Sequence, residues 1–182
     1  MSAVAPITNE FPSASHVDEP NWFAIHIRAR HEKKVHSALC ESGIETFLPL
    51  SRQIHRWSDR SKAVDVPLFP CYSFVRISFS HKQRLQVLRT SGVLGFVGVQ
   101  FQATPVPEHE IEQIRKLLDR QIPCSPYPFL KVGQRVRIRG GSLDGMEGIW
   151  LGHKRKGTLI ISVELIQRSL AISVEGFEVE PV

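Results

Sequence analysis

Apolar and polar positions change rhythm several times along this chain, and each change marks an element. Trp22-Phe23-Ala24-Ile25-His26-Ile27 has no polar residue before His26. That predicts a central strand covered on both sides. Residues 31–42 place Val35, Ala38 and Leu39 on one stripe with Gly43 as the stop, a helix. Thr46 to Leu50 opens a second strand that runs through Ile54 towards Trp57. A polar tip follows, and the chain returns through Val64 and Val66 as the far arm of a long hairpin. Val66 to Ile77 enters a further strand through Pro67 and Pro70. From Tyr72 the side chains alternate: Tyr72, Phe74 and Arg76 on one face, Ser73, Val75 and Ile77 on the other.

Residues 81–91 read as a short helix with Leu85 and Leu88 inward and Gly92 at its end. Val93 to Gly98 is a short apolar strand. Pro107 then introduces the strongest helix. Ile111, Ile114, Leu117 and Leu118 form a stripe that must be buried. Glu108, Glu110 and Glu112 sit early in it and Arg115, Lys116 and Arg120 late, as the helix dipole prefers. Pro123, Pro126 and Pro128 cannot continue a helix and mark an extended, semi-rigid linker. Beyond it the period falls from 3.6 to 2. Arg135, Arg137 and Arg139 alternate with Val136 and Ile138, and short strands follow between glycine turns. Five short strands in so few residues predict a small barrel.

The fold class is therefore α+β, an antiparallel sheet flanked by helices plus a small β-barrel. Residues 1–20, rich in Ser, Ala, Pro and Asn, read as a disordered leader. A first domain spans 21–119, the linker 120–130 and the barrel domain 131–182.

Composition adds exclusions. At 42% hydrophobic and 23% charged, the 182 residues are ordinary for a globular protein. Cys40, Cys71 and Cys124 lie far apart with no CxxC pair, which argues against a disulfide framework and a zinc site and suits a reducing cytosol. No stretch approaches the ~20 apolar residues of a membrane helix, and Met1 to Pro6 lack the basic start of a secretory signal. A cytoplasmic protein without a membrane partner is expected. No GxSxG, P-loop or GxGxxG occurs, and the eight histidines form no cluster with metal spacing. The chain reads as no enzyme, with no cofactor.

The net charge of +5 is unevenly placed: residues 22–129 carry 15 basic and 9 acidic side chains. That half is the one suited to a polyanion. Arg28, Arg30, Lys33 and Lys34 crowd a helix start, where cations are unfavourable unless an anion such as phosphate joins them. Arg56, Arg60 and Lys62, with Trp57, at the hairpin tip suit a nucleic-acid backbone. Tyr72 and Phe74 on one strand face, with Phe69 upstream, need a cover. It is either a helix of the same chain or another protein docking there. A ribosome- or RNA-binding protein using the basic strand of the barrel is the alternative; it leaves the aromatic strand unexplained.

Three ordered motifs carry a resemblance. Pro67-Leu68-Phe69-Pro70-Cys71-Tyr72-Ser73-Phe74-Val75 resembles the P-L-F-P-x-Y-x-F-V signature of the NusG family of transcription elongation factors. Arg89 to Gly98 resembles that family's segment ending in G-F-V-G, and Val132 to Ile138 leading to Gly145-Met146-Glu147-Gly148-Ile149 resembles its KOW module. The likeness runs over about residues 22–182. It implies a monomer whose first domain grips the clamp helices of RNA polymerase through His26, Phe69, Tyr72 and Phe74 and suppresses pausing or termination. It implies that Arg28, Arg30, Lys33 and Lys34 face upstream or non-template DNA, and that Gln83-Arg84-Leu85 lies at the polymerase gate loop. A ribosomal protein or the termination factor Rho would meet the KOW barrel at Glu164 to Arg168, with Ile166 and Arg168 as contacts. An aliphatic Ile166 resembles specialised UpxY-type antiterminators of long surface-polysaccharide operons. Some specialised members refold the barrel into a helical hairpin; the β-branched residues here favour strands.

Overall fold

The computed structural model describes residues 19–56, 61–78, 80–99, 102–127, 129, 133–153, 156–175 and 178–182. Strand β1 (Asn21–Ile27) leads to helix α1 (Glu32–Glu41), then to β2 (Glu45–Phe47) and β3 (Leu50–Arg56). The single strand expected from Thr46 to Trp57 is thus two, because Leu48-Pro49 breaks it and the halves join different sheets. β3 pairs with β4 (Ser61–Pro67) as the long hairpin. Next come β5 (Tyr72–Ile77) and α2 (His81–Arg89), whose N-cap Ser80 accepts from the backbone N–H of Gln83. Then follow β6 (Val93–Phe96), the small pair β7 (Gly98–Val99) and β8 (Gln102–Ala103), β9 (Pro105–Val106) and α3 (Glu108–Asp119).

The N-terminal sheet has the order β2-β5-β1-β6, with β9 also on β1, all antiparallel. Its two faces are covered by different helices. Phe23, Ile25, Ile27, Val75 and Ile77 pack on α1 and α2 through Val35, Leu39 and Val87. In α2 the inward residue is Val87. Leu88 is 41% exposed, so its expected inward position is corrected. The other face, with Trp22, Ala24 and Phe74, packs on the α3 stripe Ile111, Ile114 and Leu117. Trp22 pairs with Val106, so β9 delivers α3 to that face.

After α3, Cys124–Tyr127 form β10, paired with the later strand Arg168–Glu175 (β14). These linker residues are extended as expected but are held in a sheet. Strands β11 (Gln134–Arg139), β12 (Glu147–His153), β13 (Lys156–Val163) and β15 (Glu178–Pro181) complete an antiparallel C-terminal sheet of order β10-β14-β13-β12-β11-β15. The strand expectation for this half holds. Its buried residues, Val136, Ile138, Leu159, Leu170 and Ile172 among them, are continuous with the cluster under α3, which also touches β13.

Candidate functional site

The antiparallel register arranges one face of the N-terminal sheet in rows. Glu45, Arg76, Trp22 and Val106 lie side by side across the strands. Phe47, Phe74 and Ala24 form the next row, and Tyr72, His26 and Gly95 the last. The rings touch along this face. Trp22 meets Phe47 edge-on at 6.4 Å between centroids, Phe47 stacks on Phe74 at 6.1 Å, and Phe69 meets Phe74 edge-on at 6.2 Å. Arg115 of α3 lies 4.8 Å over Trp22 and 5.1 Å over Phe47, and it pairs with Glu45 at 3.6 Å. The Trp22 indole N–H donates to Glu108 at 3.2 Å. Helix α3 therefore covers Trp22, Ala24 and Phe74 and the inner side of Phe47 by apolar burial, cation–π contact and ion pairing.

The expectation of an open patch including Phe69 and Phe74 is corrected here. Phe74 is 0% and Phe69 2% exposed. A ring already out of water has no further area to bury against a partner. The last row stays open. His26 is exposed, Tyr72 is half-buried, and their rings stack at 5.3 Å. A Cβ placed on Gly95 would meet nothing within 4 Å, so the space beside His26 is free. Sequence reading named His26 and Tyr72 but missed Gly95, whose role follows only from its register with His26. It also missed Trp22, Phe47 and Arg115 as the closing group.

Tyr72 is positioned by the turn before it. Cys71 adopts φ +69°, its carbonyl accepts from Ile27 N–H at 2.8 Å, and its own N–H donates to Glu32 Oε1 at 3.0 Å. Glu32, at the start of α1, is 7% exposed. It is the first-turn carboxylate the helix dipole favours, turned inward as a clamp on the turn. The same helix start carries Arg28, Arg30, Lys33 and Lys34 outward, all exposed. Among the described residues none of these four makes an ion pair with an acidic side chain. Gly92, at φ +104°, accepts from Arg28 N–H at 2.8 Å and ties this basic corner to the strand before the open row. Arg60 and the side chains of Arg56 and Lys62 lie outside the described residues. Gln83, Arg84 and Leu85 sit in the first half of α2.

In the C-terminal sheet, Arg168 is exposed at the start of β14. Ile166 is 5% exposed and belongs to the core, which corrects its place as an outward contact. The turn 164–167, with Gln167 at φ +49°, directs the aliphatic side chain inward. The basic stripe of β11 is largely neutralised. Arg137 Nε donates to Glu147 at 2.8 Å, and Arg139 pairs with Glu180 at 2.5 Å. That bond raises the Arg139 guanidinium and holds the Glu180 carboxyl below its ordinary range. Among the described residues no group of three or more His, Cys, Asp or Glu could hold a metal ion. No described helix is long and apolar enough to cross a membrane.

Residues 20–115, just over half of the chain, match the family model described as transcription termination factor NusG. A transcription termination/antitermination protein NusG of Borreliella burgdorferi is 22% identical, over 88% of this chain and 98% of its own length. A solved structure concerned with domain interaction in Thermotoga maritima NusG is similar with a TM-score of 0.55 and 20% identity, covering 90% of this chain and 98% of that one. The mixed architecture and the open row thus sit on a known scaffold, and the chain belongs to the NusG family of transcription termination factors.

Proposed function

We propose that this protein is a transcription elongation and antitermination factor that docks on the clamp helices of RNA polymerase through the row Tyr72, His26 and Gly95. The carrying observation is that His26 is exposed beside the free space at Gly95, while α3 covers Trp22, Ala24 and Phe74 on the same face. A helix laid across it would meet an aromatic pair with a polar edge and a gap the width of a missing side chain. Phe69 and Phe74 act from beneath as the floor that holds Tyr72 in place. No chemistry is needed: the factor keeps the polymerase closed around DNA by binding energy. Arg28, Arg30, Lys33 and Lys34, on the same side as the Cys71 turn, would meet upstream or non-template DNA.

The C-terminal sheet is a KOW-type barrel in this reading, with residues 21–119 and 131–182 as the two domains. Its exposed Arg168 contacts a second protein, a ribosomal protein or Rho. In this reading the chain is a specialised UpxY-like member, for which the aliphatic residue at Ile166 is the support. The ribosome- or RNA-binding alternative loses its main support, because Arg137 and Arg139 are already paired with Glu147 and Glu180.

The test is the affinity for core polymerase. If the Tyr72 ring buries ~100 Å² on docking, its truncation to Ala removes about 2 kcal/mol, or roughly 30-fold in Kd. Unchanged affinity for Tyr72→Ala together with His26→Ala overturns the assigned row.

A further inference from the structure

Helix α3 faces two ways. One side lies on the N-terminal sheet, and the other meets the C-terminal sheet. Glu110 stands on the second side and is only 8% exposed. The backbone N–H of Glu164 lies near enough to favour the charged form of Glu110, yet its Oε2 is buried with no partner. It lines a cavity of about 310 Å³ between α3 and the C-terminal sheet.

The charged and titratable groups around this cavity are Glu164 in the β13–β14 turn, Glu147 on β12, Arg135 on β11 and His109 on α3 itself. Glu147 is held by Arg137, and Arg135 is exposed. The Glu164 carboxylate therefore faces Glu110 across the seam as a like charge. A buried carboxylate with a free oxygen and a like-charged neighbour is unfavourable. One proton removes the repulsion and gives the carboxyl an O–H donor for the cavity.

We propose that the packing of α3 against the C-terminal sheet takes up one proton at Glu110 and loosens when that proton leaves. Burial first, and the Glu164 charge second, push the Glu110 carboxyl up to about 7 from its ordinary value of 4.5. The packed arrangement thus binds more protons than the separated one between those two values. It is favoured at low pH, weakens as pH rises through that window, and levels off above it.

The experiment uses the full chain alone, so it is independent of whether the protein binds polymerase. Backbone ¹⁵N relaxation is measured at pH 5.5 and pH 8. The expected result is that amides of residues 134–181 tumble with those of 21–118 at the lower pH and more independently at the higher. The packing constant falls about 30-fold between the two. Glu110→Gln stays coupled at both pH values, and His109→Gln keeps the wild-type response. Glu164→Gln shrinks the response by removing the like charge, and it decides the matter if Glu110→Gln does not fold. Equal coupling of the wild type at both pH values overturns the proposal. So does a pH response that survives in Glu110→Gln, that is undiminished in Glu164→Gln, or that disappears in His109→Gln.

Discussion

Truncating Phe74 and truncating Tyr72 should separate the buried part of the aromatic face from its open edge. Phe74 is fully buried between Phe47 and Phe69. Replacing it by Ala removes a whole ring from a packed site, which costs about 3–5 kcal/mol. At ~2–4 °C per kcal/mol for a chain of this size, Tm should fall by roughly 6–20 °C. Tyr72 is half-buried, packed on the edge of the core and stacked on an exposed imidazole. Its truncation should cost about 1 kcal/mol, a Tm change of a few degrees. Thermal and urea unfolding followed by circular dichroism reads both values. Polymerase binding should then weaken roughly 30-fold in Tyr72→Ala with the fold intact, while Phe74→Ala loses binding only through its fold. Equal destabilisation by the two substitutions would refute the division of the face into a closed part and an open edge.

Further predictions concern other parts of the same arrangement. Gly95→Leu should keep the wild-type Tm and lose polymerase affinity, because a side chain there meets open space in the free protein and the partner in the complex. Glu32→Ala should cost about 1.5–3 kcal/mol in urea unfolding, since it leaves the Cys71 N–H without its charged acceptor. If Arg28, Arg30, Lys33 and Lys34 all contact phosphate, log K for duplex DNA should fall with log salt at a slope about 3–4 steeper than in the quadruple Ala variant, at ~0.9 per phosphate. Cys40, exposed, should react with a thiol reagent well before Cys124, whose thiol burial pushes up and whose strand is paired with β14. Equal rates would show that β10 is not held there.

Much of the fold was legible in the sequence because local periodicity records which side of an element is apolar. The α3 stripe and the two-sided β1 are of this kind. Periodicity does not record what covers a face. Tyr72 and Phe74 carry the right alternation for a docking patch, but α3, some thirty residues later, closes over Phe74, and Phe69 upstream is buried as well. The same limit applies to Ile166, whose burial depends on the turn around Gln167. Glu110 reads locally as a dipole partner early in a helix; only the fold brings Glu164 against it. Prolines at 123, 126 and 128 announced an extended segment, but pairing of Cys124–Tyr127 with β14 is a tertiary choice that composition does not encode. Tyr72 and the basic corner were legible because they sit at a strand start and a helix start, where position follows from local signals, whereas His26 came only with the family resemblance.

The central claim is that the Tyr72–His26–Gly95 row is the surface that meets polymerase. Its most direct test is photo-crosslinking in a reconstituted elongation complex, with benzoylphenylalanine placed at position 26 in one protein and at Arg168 in another. Docking through this row gives adducts from position 26 to the polymerase clamp helices, and none there from position 168. Adducts to those helices from position 168 alone, with position 26 silent, would contradict it.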